Sequence, residues 1–377
     1  MPVLRLVTII KNFIFKHIFS FNFEDKMKLK KFLPLLFIII ILFQIPFMAQ
    51  TVRPIKDTIG FAWTSVDMDR LMGYLNKNAD KEKFSAEGLV AGLSPHDDYL
   101  YAGKVYYPLF KNISAREIII IGLTHGTVRK AFGDPQDIII LDNFDIWQGP
   151  YKTIKISPLR EEIKKKMDPH YFVVNNDVQT MEHSIEALLP FIQHYNREIK
   201  ITPIMVTGME MSRMEMITEE LSNIIAEYIS KNNMRLGSDV FILISSDANH
   251  YGKDFNNTPY GEDEAAHKTA TVNDKRIASE CLNAEINAAS IKKLTEELVD
   301  KKPAPVWCGK FSIPFGLMTV SKVVKLVAHK GLEGKVFKYS DTVTEGVLPV
   351  KNTKMGLTAA ANYQHWCGWL SAGFYLK

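Results

Sequence analysis

Leu89-Val90-Ala91-Gly92-Leu93-Ser94-Pro95-His96-Asp97-Asp98-Tyr99 is the stretch whose reading decides the fold of this chain. A short apolar run stops abruptly at a histidine. The same transition occurs twice more, where residues 118–121 lead to Thr124-His125-Gly126 and where residues 240–244 lead to Ser245-Ser246-Asp247-Ala248-Asn249-His250. Runs that are β-branched or leucine-rich, with no polar alternation, suit strands covered on both faces of a mostly parallel sheet. In open α/β sheets ligands bind beyond the carboxyl ends of the strands, so His96, His125 and His250 are expected on one edge.

Working outward, helical spacing of apolar residues predicts helices over residues 64–75, 103–110, 157–166, 212–231, 262–283, 290–300 and 314–329. Another is expected to open at Glu182-His183-Ser184-Ile185-Glu186 and run to Tyr195, with Ile185, Leu188, Leu189 and Ile192 on one stripe. Further strands are expected at 138–141, 200–206, 336–340 and 371–376. Strand and helix patterns alternate without linker, low-complexity tract or repeat. The expectation is therefore an α/β fold, a single three-layer domain with a mostly parallel central sheet, over residues 50–377.

The 377 residues carry a formal charge of +4, but it is unevenly spread. Residues 1–49 hold seven Lys/Arg against two Asp/Glu, which leaves the remaining 328 residues at −1. No nucleic-acid partner is expected of so neutral a body. Residues 1–49 read as a signal peptide or membrane anchor: a basic stretch from Lys26 to Lys31, an apolar run from Phe32 to Met48, then Ala49-Gln50. A start at Met27 would give a cleaner signal, and residues 1–26 are read as a gene-model extension. The body is thus expected to be exported, periplasmic or extracellular, or anchored by its N-terminal segment, which is also the only membrane contact foreseen.

Cys281, Cys308 and Cys367 are too few for a disulfide scaffold and match no zinc knuckle. Cys308 could be a thiolate ligand, a small buried residue or half of a disulfide. Neutral imidazole is the commonest protein metal ligand, so histidines converging on a sheet edge suggest a metal or a general-base site. His183, at the expected helix N-terminus, suits an acid/base residue, with a capping region as its plain alternative. Asp247 could orient His250 or shape a turn; Asp97 and Asp98 could be ligands, supporting partners or turn residues. His17, His170, His194, His267, His329 and His365 are read as structural or surface residues. No serine nucleophile elbow, phosphate-cradling loop or dinucleotide fingerprint occurs.

Five ordered blocks then resemble a known family, the Memo-like proteins, called AmmeMemoRadiSam system protein B in bacteria. The blocks are Pro95-His96 with Tyr99 and Gly103, Ile121 to His125, Glu182 to Glu186 with Leu189-Pro190, Ser245-Ser246-Asp247 with His250-Tyr251-Gly252, and Cys308-Gly309. The resemblance implies a class III extradiol dioxygenase-like fold, in which non-haem iron is held at the sheet edge by two histidines and a carboxylate. It implies that a cysteine replaces the carboxylate, so that His96, His125 and Cys308 are the metal ligands. By the same resemblance His183 is the acid/base histidine, and Asp247 and His250 line the cleft with it as catalytic candidates. Asp97-Asp98 stands where most relatives have Ala-Gly, and Asp97 could restore a two-histidine, one-carboxylate set. Gly126 stands where a second histidine often follows, and Lys310-Phe311-Ser312-Ile313-Pro314 replaces the usual Arg-His-Pro with a changed spacing.

The function expected is metal-dependent redox or dioxygenase-type chemistry on a small-molecule substrate of unknown identity. Iron or copper is the expected transition metal, with zinc the third candidate. Two other readings stay open: a non-catalytic metal- or partner-binding protein, with a protein partner, and a metal-assisted hydrolase.

Overall fold

Each of the three apolar runs that end at a histidine is a strand, and the reason is visible in how its residues divide between two cores. In the computed structural model, which describes residues 50–80, 82 and 84–377, Ile119 and Ile121 enter one core together with Ile242 and Ile244. Ile118 and Ile120 enter the opposite core with Phe241 and Leu243. Alternate side chains point to opposite faces, so a run with no polar residue is demanded when both faces are covered. The leader expected over residues 1–49 lies outside the described residues.

In chain order the strands are β1 (Val52–Arg53), β2 (Leu89–Ser94), β3 (Glu117–Leu123), β4 (Ile139–Leu141), β5 (Ile146–Trp147) and β6 (Ile154–Ile156). There follow β7 (Phe172–Val174), β8 (Lys200–Val206), β9 (Val240–Ser245), β10 (His250–Gly252), β11 (Leu332–Asp341) and β12 (His365–Leu376). They form one sheet in the order β1-β5-β6-β8-β3-β9-β2-β12-β10, with β11 beside β12, β4 beside β8, and β7 beside β4. The centre, β8-β3-β9-β2, is parallel throughout. Antiparallel β12 extends it from β2 and pairs with both β10 and β11. Helices Met211–Lys231 and Ser312–Ala328 pack on one face. Helices Ser65–Asn78, Tyr99–Phe110 and Leu189–Tyr195 cover the other. The molecule from Thr51 to Lys377 is thus a single three-layer α/β unit. No helix among the described residues is long and apolar enough to cross a membrane.

Register puts the carboxyl ends of the central strands side by side: Ser94 faces Ser245 across β2 and β9, and Ile121 faces Ile244 across β3 and β9. His96, His125 and Asp247 leave the sheet from those ends. His250 does not sit on the end of β9 itself; it opens β10, opposite Cys367 of β12.

One expectation about local structure is corrected. Glu182-His183 does not open a helix. Helix Asn176–Met181 ends at Glu182, and a 3-10 turn at Glu186–Leu188 precedes helix Leu189–Tyr195. Pro190 sits in the first turn of that last helix, where a missing N–H costs nothing. The Glu182 carboxylate is spent on neighbouring backbone N–H groups rather than on capping a helix beginning there.

Candidate metal centre

Pro95 and the turn after β2 aim His96 across the sheet edge toward β9, and the histidine is almost fully buried. Its backbone N–H donates to Asp247 Oδ1 at 2.9 Å. Its Nδ1 meets Ser245 Oγ at 2.8 Å, and that hydroxyl donates its own proton to the Ser184 carbonyl at 2.6 Å. Ser245 can therefore only accept from the ring, which fixes a proton on Nδ1 and leaves Nε2 as the atom facing the cluster. Nε2 faces Asp247 Oδ2 at 3.4 Å and Cys308 Sγ at 3.6 Å.

His125 is prepared in the same way from the other side. Its Nδ1 lies 2.8 Å from Glu182 Oε1 and its backbone N–H donates to Glu182 Oε2 at 2.7 Å. Glu182 Oε1 also accepts from the N–H groups of His183 and Ser184 at 2.8 and 3.0 Å. Four donors on one buried carboxylate hold it ionised: burial would raise it, but the His125 charge and the hydrogen bonds carry it far below the ordinary range. Burial disfavours the His125 cation, yet Glu182 and the hydrogen bond with Cys308 raise the ring to about 10. A carboxylate bonded to one ring nitrogen, leaving the other to face an ion, is the arrangement that orients metal-bound histidines.

Cys308 arrives on the loop between Trp307 and helix Ser312–Ala328. Its Sγ accepts from the Asp247 N–H at 3.0 Å. The next residue must be glycine, because a Cβ at Gly309 would lie 2.3 Å from both Cβ and Oγ of Ser246. The Cys308 pKa is well below an ordinary thiol's: burial works against the anion, but the charge of His96 and the imidazoles of His125 and His250 around the sulfur prevail. All three cysteines are free thiols, so the disulfide alternative for Cys308 falls away.

Two groups of potential ligand atoms result, each lying within 4.8 Å of one another: His96, Asp247 and Cys308, and His96, His125 and His183. Bonds of roughly 2.0–2.3 Å to one ion place donors roughly 3.3–3.8 Å apart. The 3.4 and 3.6 Å separations from His96 Nε2 match that span. Nitrogen, thiolate and carboxylate are a donor set for iron, copper or zinc. His250 Nε2 is a buried nitrogen with no hydrogen-bond partner among the described residues, 3.7 Å from Asp247 Oδ2.

The carboxylate that joins the donors is thus Asp247, and Asp97 is not among them. Trp369 Nε1 donates to Asp97 Oδ2 at 2.9 Å and the Asp98 N–H to Asp97 Oδ1 at 2.7 Å. Asp98 accepts from the N–H and hydroxyl of Thr358, and burial pushes its carboxyl up to about 7. His183 stacks on His125 with ring centroids 4.7 Å apart. Burial first, then the His125 charge, lowers its pKa to about 4, so it is a neutral base at physiological pH. A helix dipole plays no part in that. Of the other histidines, His170 is exposed beside Asp168, while His365 reaches the rim of the cavity in front of the donors.

Residues that the sequence did not single out complete the site. Asp57 Oδ2 lies 3.7 Å from His183 Nδ1. It is held there because the Lys56 and Asp57 N–H groups donate to the buried Glu186 carboxylate. Arg53, buried and over the Trp147 ring, pairs with Glu186 and donates to the Gln179 and Glu182 carbonyls. A Glu immediately before His183 was the one visible clue; nothing near Arg53 or Asp57 gave them away. In front lies a cavity of about 770 Å³ lined in part by Asp57, His96, His125, His183, Asp247 and His250.

Fold and site together define an α/β protein with a His/Asp/Cys cluster fit for a metal at the carboxyl edge of its sheet. The model of the Memo-like protein family matches residues 65–347, and this chain belongs to that family. Relatives named MEMO1 family protein include one from Aquifex aeolicus, 32% identical over 190 residues, covering 49% of this chain and 62% of the relative. One from Pyrobaculum arsenaticum is 29% identical over 171 residues, 44% of this chain and 54% of the relative. One from Saccharolobus islandicus is 32% identical over 167 residues, 42% and 52%. The matched stretches thus span roughly half of these relatives' length.

Proposed function

We propose that this chain is a metal-dependent redox protein acting on a small molecule, with iron or copper held by His96, His125 and Cys308 and with Asp247 beside them. The observation that carries the reading is the convergence of His96 Nε2, Asp247 and Cys308 Sγ within 4.8 Å at the sheet edge. A bound ion of this kind supplies electron transfer and polarises a substrate oxygen. The chain's own residues do the rest. Ser245 and Glu182 hold the His96 and His125 rings by Nδ1, with Nε2 turned toward the place an ion would occupy. His183, neutral and stacked on His125, accepts a proton from a substrate hydroxyl in the cavity, and Asp57 at 3.7 Å stabilises the cation that forms.

Anaerobic purification followed by elemental analysis and thiol titration tests the centre. Iron or copper near one per chain, lost in Cys308→Ala and His96→Ala but kept in Asp97→Ala, supports it; no metal in the folded protein refutes it. Oxygen uptake with a catechol panel then supports redox turnover. Zinc-dependent ester cleavage would instead favour a hydrolase, a reading to which Asp247 lends support, and metal retention without turnover would favour a binding protein. The exported setting read from the leader adds a requirement: Cys308 must be protected from oxidation, which ligation to the ion would accomplish.

A further inference from the structure

The cluster has a second approach, and its chemistry is opposite to the first. The 770 Å³ cavity in front of His96 is bordered by Asp57, Asp97, Asp98 and Asp247 against the single lysine Lys130. A second cavity of about 550 Å³ adjoins it, and Cys308 lines this one and not the first. His125 and His250 stand between the two and line both. The second cavity has no carboxylate in its wall and carries Arg129, Lys302 and Lys310. Arg129 is engaged by Asp134 at 2.8 Å. Lys301 next door pairs with Glu297 at 2.9 Å. Lys302 and Lys310, by contrast, belong to no ion pair among the described residues, and the Lys310 ammonium sits 5.3 Å over the Phe311 ring.

The same wall carries Leu298, Val299, Pro303, Pro305, Trp307 and Phe311, beside the neutral polar side chains of Thr124, Asn256 and Asn257. Both lysines are exposed and line the same cavity without a counter-ion among the described residues, so an anion seated there is attracted by both. A cleft lined by one sign of charge with low-dielectric walls also concentrates ligands of the opposite sign. The apolar part of the wall can bury the body of the same ligand.

We infer that this second cavity is the binding site for a small organic anion, a carboxylate on an apolar body, gripped by Lys302 and Lys310 at the rim with its body directed toward Cys308. The acidic cavity is the wrong sign for such a ligand. The inference goes beyond the proposed function, whose substrate lies in the cavity lined by His183: the anion bound here is a second ligand that approaches the cluster from the Cys308 side. Its binding does not depend on that function.

The test is calorimetric titration of the full chain, metal-loaded and metal-stripped, with benzoate, phthalate, inorganic phosphate and benzylamine. Phthalate should bind more tightly than benzoate because two ammoniums face it, benzylamine should not bind, and raised salt should weaken both acids. The Lys302→Glu/Lys310→Glu double variant should lose at least roughly tenfold in phthalate affinity, which is about 1.4 kcal/mol. Lys130→Ala, altered at the other cavity, should lose none. Inorganic phosphate binding as tightly as phthalate would show that charge alone is read and would overturn the organic-acid assignment. Phthalate binding untouched by the double variant, or absent from wild-type protein, would overturn the site. Phthalate held through Lys302 and Lys310 by a chain that takes up no metal would leave this site standing and refute the metal-dependent function.

Discussion

The proton positions at two side chains govern what the cluster can do. Ser245 and Glu182 each take an imidazole Nδ1–H, so Nε2 of both rings is the atom turned toward the cluster, and an arriving ion takes the place of the proton held there. Glu182→Gln would keep the shape but replace an ionised acceptor by a neutral amide, loosening the His125 ring. Metal affinity measured by chelator competition should fall roughly 10- to 100-fold, the usual cost of losing such a partner. The same positive surroundings make Cys308 the reactive thiol of the metal-free chain. Iodoacetamide should alkylate Cys308 at pH 6, because its anion is already present there; burial holds Cys281 up at about 11 and Cys367 at about 12, and both should stay unmodified. Peptide mass spectrometry across a pH series reads this directly, and equal labelling of the three would contradict it. His96, His125 and Cys308 could be picked out in the sequence because each follows an apolar run or sits in a recognisable block. Asp247 was visible too, but as a support; its place among the donors depends on a turn geometry that spacing does not encode. Asp57 gave no sign, since its approach to His183 depends on a strap of chain pinned by backbone N–H bonds to Glu186.

Two elements hold the site in place through single polar residues: β1, which the sequence did not reveal, and a helix that it did, within the expected span 262–283. β1 is only Val52–Arg53, yet Arg53 ties Gln179, Glu182 and Glu186 together beneath the loop that carries His183. Arg53→Met would leave the Glu186 carboxylate buried without its cation, at a cost of about 3–5 kcal/mol. Urea unfolding should show that loss, and unchanged stability would mean the clamp is dispensable. On the opposite flank, helix Glu264–Ile277 presents Asp274, which accepts from Trp307 Nε1 and from the Tyr339 hydroxyl, each at 2.8 Å. Burial raises this carboxyl to about 7, far above its ordinary 3.8. The folded state therefore binds the proton more tightly than the unfolded chain, and this group's contribution to stability declines as pH rises from about 4 to about 7, then levels off. Asp274→Asn keeps one acceptor for Trp307 and can donate to Tyr339 oxygen. Relative to wild type it should gain up to about 1.4 kcal/mol per pH unit across that window, with no further gain above it. Parallel slopes in the two proteins would show that Asp274 is not the group responsible. The long elements were legible because burial dictates their composition: β3, β8, β9 and the helix Met211–Lys231 fall within a residue or two of the expected bounds. The misplaced helix start at Glu182 came from reading an acidic residue before an apolar stripe as a cap, when its carboxylate is committed to His125.

Across the whole molecule, the fold class followed from alternating strand and helix patterns, and the single sheet bears it out. The antiparallel end of that sheet could not be read, because the exposed and buried residues of β11 and β12 do not announce which strand they will pair with. The candidate ligands come from distant parts of the chain: His96 and Cys308 are 212 residues apart, and His96 and Asp247 are 151 apart. An ion joining them favours the folded state by mass action, by about 2.7 kcal/mol when free metal exceeds its dissociation constant roughly a hundredfold. Loading should raise the melting temperature by a few degrees and a chelator should reverse it; scanning calorimetry showing no shift would separate metal uptake from this edge of the sheet. Such an ion closes covering loops of great length at a single knot, which is the service a disulfide renders in proteins that have one. Here the three thiols stay single. A cell able to change its supply of that metal would therefore be adjusting, with the same few atoms, how long each copy survives a protease.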